Sequence, residues 1–180
     1  HLESISNNLS NMSTTGYKAG RVAFKVEGPT DTPLGEAYAM SSEDIIDRTD
    51  GALKRTDNPL DLAVQGDGFF TVQDANGTQY LTRDGRFQMN EERQLVTRHG
   101  MLLLSDGGPV EVQLGDQLSV TDDGRLIGSQ SGEFGRLLIS TAPDISRAGR
   151  NLFTANGPTQ VIENPKVQQG AIEESNTDPL

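Results

Sequence analysis

The chain has 180 residues, and its 26 acidic against 15 basic side chains give a net charge of −11. This charge argues against nucleic acid and anionic membrane surfaces as partners, because both are bound by clustered Lys and Arg. The absence of cysteine excludes disulfides, thiolate metal sites and cysteine nucleophiles. The sequence also has no run of 18 apolar residues, so we expect no direct membrane insertion.

Residues 1–18 are predicted to form the end of an N-terminal helix and a turn. Apolar side chains recur there at helical spacing, at Leu2, Ile5, Leu9 and Met12. Gly16 is suited to the left-handed cap that ends a helix. Because the chain starts at His1 inside this pattern, with no leader before it, we expect a fragment whose terminal helices are truncated.

Residues 19–42 are predicted to be an irregular connection, because glycine and proline punctuate them at Gly28, Pro29, Pro33 and Gly35. Residues 43–142 show a different pattern, in which short apolar runs alternate with turn residues at the spacing of a sandwich or barrel. No helical pattern of ten residues interrupts this stretch, which argues against a parallel βαβ fold. We therefore predict a mainly β chain with one central antiparallel β domain.

Ten short β-type runs are predicted in this domain. They are Leu60–Val64, Phe69–Gln73, Tyr80–Arg83, Arg86–Met89, Gln94–Thr97, Met101–Leu104, Val110–Leu114, Leu118–Thr121, Arg125–Ser129 and Phe134–Thr141. Asp-Gly and Asn-Gly pairs are expected to supply the positive φ that tight hairpin turns require. The glycines of these pairs are Gly51, Gly68, Gly77, Gly85, Gly107, Gly124 and Gly157.

The last part of the chain is predicted in two pieces. Residues 143–166 contain several glycines and prolines and are predicted to be a segment that returns the chain from the β domain. Residues 167–180 end in a possible N-cap followed by Pro179, and are predicted to start a C-terminal helix. Helical stubs are thus expected on both sides of the β domain.

The sequence predicts no catalytic, cofactor-binding or metal site. His1 and His99 are its only histidines, which is too few for a convincing metal or general-base assignment. The acidic turns at Asp74 and Asp122 lack the ligand spacing of a calcium loop and are better explained as hairpin turns. No nucleophile elbow, phosphate loop or dinucleotide glycine pattern occurs in the sequence. We therefore predict a protein that is not an enzyme.

Four segments carry longer motifs. The first joins N-N-L-S-N at Asn7–Asn11 to T-T-G-Y-K at Thr14–Lys18, and the second is N-P-L-D-L-A-V-Q-G-D-G-F-F at Asn58–Phe70. The third, Y-L-T-R-D-G-R-F, starts at Tyr80, and the fourth, Q-G-A-I-E-E-S-N, starts at Gln169. In this order they resemble the motifs of the bacterial flagellar rod and hook family, except that Leu81 is inserted and Thr177 stands where valine is usual.

The resemblance implies a structural subunit of the flagellar basal-body rod. It implies export through the flagellar type III apparatus without a cleaved signal peptide, and assembly in the periplasm with other rod subunits and hook-basal body proteins. Family members pack their terminal helices into an inner tube, with the β domain outside. With both helices truncated, we expect this chain to be monomeric in dilute solution. The predicted assembly interface comprises Leu2, Ile5, Asn7, Asn8, Leu9, Asn11, Met12, Gly16, Tyr17, Lys18, Ser175 and Asn176.

Alternatives remain at this stage. The short acidic segment from Phe24 to Gly51 resembles the proximal rod member, whereas the distal member would carry a longer insertion rich in glycine and glutamine. A hook protein would need further domains. Outside the family, a small β carbohydrate-binding module or a hydrolase with surface carboxylates would also suit the composition. The amphipathic N-terminal stripe favours an assembly subunit, because a stand-alone binding module has no use for an exposed apolar face.

Overall fold

The computed structural model describes residues 2–27 and 39–177, with side chains for 4–23 and 45–177. It begins with one helix, α1 (Leu2–Ser10). The strands that follow are β1 (Gly20–Glu27), β2 (Ala39–Ile46), β3 (Leu53–Arg55), β4 (Leu62–Gln65), β5 (Phe69–Gln73), β6 (Gln79–Thr82), β7 (Gln88–Met89), β8 (Leu95–Val96), β9 (Leu102–Ser105), β10 (Gly108–Pro109), β11 (Leu118–Val120), β12 (Arg125–Gly128), β13 (Gly132–Arg136), β14 (Ile139–Thr141), β15 (Ile145–Gly149), β16 (Leu152–Ala155), β17 (Gln160–Val161), β18 (Lys166–Gln169) and β19 (Ala171–Glu173).

The largest sheet runs in the order β15-β16-β6-β5-β9-β8-β7, with β10 paired to β9, β14 paired to β5, and β17 paired to β14. A smaller sheet has the order β11-β12-β13, while β18 pairs with β4 and β19 pairs with β3. All these pairings are antiparallel. The prediction of a mainly antiparallel β fold with a short N-terminal helix is confirmed.

The apolar core lies on both faces of β5. Phe69 and Phe70 are adjacent, so their side chains point to opposite faces of the sheet, and both are fully buried. Phe70 packs edge-on against Phe87 at 5.3 Å between ring centroids, and Phe69 packs against Phe153 at 5.5 Å. The larger cluster, which contains Phe70, extends into the β11-β12-β13 sheet through Leu126. This shared core joins the β11-β12-β13 sheet and the β4–β18 pair to the large sheet.

The structure corrects the prediction for residues 19–42. Half of this segment is strand, because β1 and the start of β2 lie in it and the two strands pair from Gly20↔Ile46 to Glu27↔Ala39. The glycine and proline signals fall in residues 28–38, which lie outside the described residues. The alternation of Val22, Phe24 and Val26 was the strand signal that the prediction overlooked.

The chain's last part also differs from the prediction. The predicted return segment, 143–166, contains β15, β16 and β17, which join the large sheet. The predicted C-terminal helix is wrong for the described residues, since 167–173 form β18 and β19 and residues 174–177 are not helical. Val167, Ala171 and Glu173 are buried on these strands, whose formation depends on pairing with β4 and β3, whereas the predicted cap signal lies after them. Residues 178–180 lie outside the described residues.

The predicted role of the Asp-Gly and Asn-Gly glycines holds for only two of them. Gly77 and Gly124 have positive φ, at 87° and 81°, whereas the glycines of the other five pairs do not. Gly85 shows a different reason for glycine, since a Cβ there would overlap the carbonyl oxygen of Leu62. A Cβ at Gly51 would likewise overlap the carbonyl oxygen of Glu174. These two positions need glycine because another part of the backbone passes close to them.

The predicted run Val110–Leu114 is not a strand. It contributes one isolated bridge, Gln94↔Glu111, and Leu114 is 87% exposed. In place of strand pairing, a side-chain hydrogen bond attaches this segment to the β7–β8 turn, because Arg93 Nε donates to the carbonyl of Val112 at 2.8 Å. Among the described residues no helix is both long and apolar enough to cross a membrane.

Candidate functional site

The two ends of the described chain meet at one junction. Backbone hydrogen bonds join the turn after α1 to the end of β19 and the segment that follows it, from Gly16 N to Glu173 O at 2.7 Å and from Asn176 N to Tyr17 O at 3.3 Å. Gly16 has φ +65°, and a Cβ there would overlap the backbone of Arg83. Glycine at this position therefore lets the N-terminal turn lie directly on the β domain.

A buried charge cluster of Lys18, Arg83 and Glu173 lies beneath this junction. The side chains of Lys18 and Arg83 are fully buried, and that of Glu173 is 1% exposed. Glu173 accepts from Lys18 Nζ through Oε1 at 2.7 Å and from Arg83 through Oε2 at 2.9 Å. One carboxylate from the chain's C-terminal part thus forms ion pairs with cations from its N-terminal and central parts. Asp50, which lies 3.4 Å from Arg83, adds a second negative charge.

Backbone groups supply further hydrogen bonds to the cluster, although Arg83 Nε is buried without a partner among the described residues. Lys18 Nζ donates to the carbonyl of Thr49 at 2.7 Å, and the amide of Gly51 donates to Glu173 Oε1 at 2.7 Å. The Arg83 guanidinium donates to the carbonyl of Val64 at 2.8 Å. Burial, followed by the positive charge of Arg83, lowers the pKa of Lys18 below its ordinary value, while the contact with Glu173 opposes this shift. The cluster holds the chain ends together and is inaccessible to solvent.

Two asparagines, Asn8 and Asn176, tie the outer layer of the junction together. Asn8 pairs with the backbone of Gly20, donating from Nδ2 to its carbonyl at 2.8 Å and accepting from its amide at 2.9 Å. Tyr17 donates its hydroxyl to Asn8 Oδ1 at 3.2 Å. Asn176 accepts from the amide of Ala19 at 2.7 Å and donates to the carbonyl of Thr49 at 2.9 Å. α1, β1 and the C-terminal segment therefore share one set of side-chain hydrogen bonds.

The apolar face of α1, formed by Ile5 and Leu9, is turned away from the junction. Ile5 is 51% exposed and Leu9 is 66% exposed. The helix contacts the domain through its polar side, where Ser4 Oγ donates to the carbonyl of Gly20 at 3.2 Å and Asn8 pairs with the same residue. This arrangement is the reverse of an ordinary surface helix, which buries its apolar face against its own domain.

The remaining predicted interface residues surround this helix. Asn11 donates to the carbonyl of Asn7 at 2.8 Å and closes the end of α1, while Asn7 is itself exposed. Met12 is half-buried, and the Ser175 hydroxyl hydrogen-bonds that of Thr177 at 2.8 Å. Leu2 begins α1, but its side chain lies outside those described. The structure thus groups the predicted residues into a junction set and an exposed helical set.

Comparison with known proteins gives two family matches. Residues 2–18 match the family described as "Flagella basal body rod protein", and residues 63–128 match "Flagellar hook protein FlgE/F/G D1 domain". The chain is 34% identical to the flagellar basal-body rod protein FlgF of Caulobacter vibrioides over 192 residues, covering 99% of this chain and 77% of that protein. The chain belongs to the flagellar basal-body rod protein family.

Other relatives agree with this membership. The chain is 30% identical to the flagellar basal-body rod protein FlgF of Escherichia coli, covering 96% of the chain and 76% of the relative. It is 27% identical to the flagellar basal-body rod protein FlgG of Bacillus subtilis, covering 98% of the chain and 79% of the relative. As a basal-body rod protein, the chain is a structural subunit and not an enzyme. The carbohydrate-binding and hydrolase alternatives are therefore set aside.

Sequence reasoning did not single out two residues of this rod protein's junction, Arg83 and Glu173. Both lie inside motifs that carried the family resemblance, but a motif does not show that its charged residues are buried together. Asn151 was also missed, although it donates to the carbonyl of Thr15 at 2.7 Å and fastens the N-terminal turn to the β15–β16 hairpin. The detectable signal was a cation in the central motif that starts at Tyr80 and a carboxylate in the motif that starts at Gln169.

Proposed function

We propose that this chain is a subunit of the proximal part of the rod and that the apolar face of α1 packs against neighbouring subunits. The observation that carries the proposal is the orientation of α1, which is fastened to its own domain by Ser4 and Asn8 and leaves Ile5 and Leu9 open to solvent. A nine-residue helix is marginal in water by itself, so an exposed apolar face on it favours a partner.

The junction supports the proposal because it fixes the direction in which both terminal segments leave the domain. The hydrogen bonds of Gly16 with Glu173 and of Asn176 with Tyr17 hold the two segments side by side. The buried charge cluster underneath keeps this arrangement rigid, because moving either segment would separate the ion pairs and leave a buried charge without its partner. Neighbouring rod subunits and other hook-basal body proteins would then meet a fixed pair of segments.

The family resemblance also supports a route to the rod. The chain is exported through the flagellar type III apparatus without a cleaved signal peptide and assembles where the rod crosses the periplasm. The similarity to FlgF proteins over nearly the whole chain supports the proximal part of the rod rather than the distal part. The 180-residue chain is expected to be monomeric in dilute solution, because its α1 offers only two turns of apolar surface for association.

Leu9→Asp tests the assembly role of α1. In the bacterium that carries the gene, we expect this variant to abolish motility and rod formation, while the melting temperature of the purified chain stays within about 2 °C of wild type. Leu114→Asp is the matched control, because Leu114 is a leucine of the β domain that is 87% exposed, and this variant should remain motile. A motile Leu9→Asp strain, or a sharp fall in melting temperature, would overturn the proposal.

A further inference from the structure

A pocket rich in arginine opens between the end of α1 and the β domain. Its volume is about 390 Å³, and its basic lining consists of Arg86, Arg98, His99, Arg147 and Arg150. We call these five residues the arginine pocket. Asn7 and Asn11 line its other side, so the pocket adjoins α1. Four guanidinium groups gathered at one place are notable in a chain of net charge −11, because the rest of the chain is correspondingly more acidic.

Two of these cations, Arg98 and Arg150, have no carboxylate partner in the part of the chain that the structure describes. Arg86 is paired with Asp84 at 2.7 Å, and Arg147 stacks on the Tyr17 ring at 4.8 Å while it donates to the carbonyl of Lys18. Arg98 and Arg150, in contrast, are exposed and have no carboxylate within 4.0 Å among the described side chains. The pocket therefore offers two guanidinium groups that suit carboxylates of another molecule.

Arg98 and Arg150 both lie in turns with a defined backbone conformation. Arg98 lies in the turn between β8 and β9, which is closed by hydrogen bonds from Thr97 N to Met101 O at 2.8 Å and from Gly100 N to Thr97 O at 2.9 Å. Arg150 lies in the β15–β16 hairpin turn with φ +49°, a left-handed conformation that is costly for a residue other than glycine. A conformation of this kind persists where the surrounding structure determines the path of the backbone.

The chain carries a matching acidic feature at the other end of β8. Glu91 and Glu92 are adjacent and exposed in the β7–β8 turn, and the structure gives their side chains no hydrogen bond or ion pair among the described residues. The neighbouring cation, Arg93, is turned away and donates to the carbonyls of Val112 and Gln113. Two uncompensated carboxylates thus project from this turn, matching in number the two uncompensated guanidinium groups.

The placement of the two features favours contact between copies. The acidic and basic turns lie at opposite ends of β8, at most about 20 Å apart along the strand. The described residues show no ion pair between the two turns within one copy. Complementary patches at different places on one subunit give a head-to-tail contact, which repeats along a polymer instead of closing a dimer.

We propose that the arginine pocket binds the Glu91–Glu92 turn of a second copy of this chain, with Arg98 and Arg150 pairing the two carboxylates. The inference rests on the proposed function, since the pocket borders the helix whose apolar face packs on neighbouring subunits. The contact also reduces the mutual repulsion of subunits that each carry a net charge of −11.

Charge reversal in the protein as its gene encodes it tests this contact. Sedimentation should show that Arg98→Glu with Arg150→Glu lowers the self-association constant about tenfold or more, because attraction becomes repulsion. Glu91→Arg with Glu92→Arg should do the same. Mixing the two variants should restore association between unlike copies. Lys54→Glu with Arg55→Glu is the control, because it changes the net charge equally at exposed positions of β3 and should have a much smaller effect.

The outcomes separate this contact from the role of α1. If Leu9→Asp blocks association while the charge reversals associate like wild type, the contact is wrong and the proposed function stands. If the charge reversals weaken association while Leu9→Asp does not, the contact stands and the role of α1 fails. Failure of the mixed variants to restore association, or a wild-type protein that stays monomeric up to millimolar concentration, would overturn a second copy as the occupant. Melting temperatures close to wild type would show that the variants are folded.

Discussion

Lys18 Nζ lies 2.7 Å from Glu173 Oε1, although 155 residues separate the two in the sequence. The pair connects the segment that follows α1 to the end of β19, so that the two ends of the described chain meet at one buried site. Desolvation makes an isolated buried charge costly, so each partner is tolerated only while the other is present. Arg83, 2.9 Å from the second oxygen of Glu173, gives the carboxylate a central partner as well.

Glu173→Gln is expected to destabilise the chain by about 3–5 kcal/mol. The substitution leaves Lys18 and Arg83 buried beside a neutral amide, so their mutual repulsion is no longer offset. Urea denaturation followed by circular dichroism measures the loss. Glu174→Gln is the control, because Glu174 is exposed, and its effect should stay within about 0.5 kcal/mol. Equal stabilities for the two variants would show that the buried charge cluster contributes little.

Gly85→Ala tests whether glycine is required there for close approach or for turn geometry. The φ of Gly85 is not positive, yet an added methyl group would overlap the carbonyl oxygen of Leu62, because the two backbone segments pass close to each other at this point. We expect the free energy of unfolding to fall by about 2 kcal/mol or more, because the backbone must move to make room for the methyl group. Gly157→Ala, where nothing lies within 4 Å of the added group, should be nearly neutral. A neutral Gly85→Ala, measured by urea denaturation, would contradict this explanation.

The β domain could be predicted from the sequence because its signals are local. Runs such as Phe69–Gln73 combine aromatic and β-branched residues between turn signals, and β5 occupies this same range. The glycines were harder to interpret. Gly77 and Gly85 both follow an acidic or amide residue, but Gly77 adopts positive φ and Gly85 makes room for the backbone of Leu62. Sequence alone cannot show which strand passes beside a glycine.

The junction could be predicted only in part. The motif residues Asn8 and Lys18 pointed to a special N-terminal turn, but their partners depend on long-range topology. Glu173 lies on β19, which pairs with β3, and this pairing carries it to Lys18. The β18 and β19 strands of the C-terminal part were missed for the same reason, since β19 pairs with residues more than 100 positions away, while the helix signal at Pro179 lies outside the described residues.

Asp47 makes stability depend on acid pH. Although burial raises its pKa, hydrogen bonds from Thr49 N and Oγ1 and the charge of Arg21 lower it overall below its ordinary value of 3.8. A carboxyl whose folded pKa is lowered stabilises the fold fully above the unfolded value and loses this contribution as pH falls through the folded value. We therefore expect the free energy of unfolding to decline below about pH 4.

Asp47→Asn should reduce this decline and lower stability at neutral pH, where the charged form makes its contacts. Urea denaturation at pH 3, 4 and 7 measures both effects. Asp57→Asn, which removes an exposed carboxylate, controls for the change in net charge. An Asp47→Asn profile parallel to that of wild type at all three pH values would show that Asp47 contributes nothing to the acid sensitivity.

Asn8→Ala tests the attachment of α1 to the domain. The substitution removes both hydrogen bonds with Gly20 and the acceptor of the Tyr17 hydroxyl, while the buried charge cluster remains intact. Two hydrogen bonds of this kind contribute about 1–2 kcal/mol, so we expect amide exchange in α1 to quicken about tenfold. Exchange in β5, inside the core, should stay unchanged. Asn7→Ala is the matched control, because Asn7 is the exposed neighbour on the same helix. If both variants exchange alike, Asn8 does not hold α1, and the fixed presentation of Ile5 and Leu9 needs another cause.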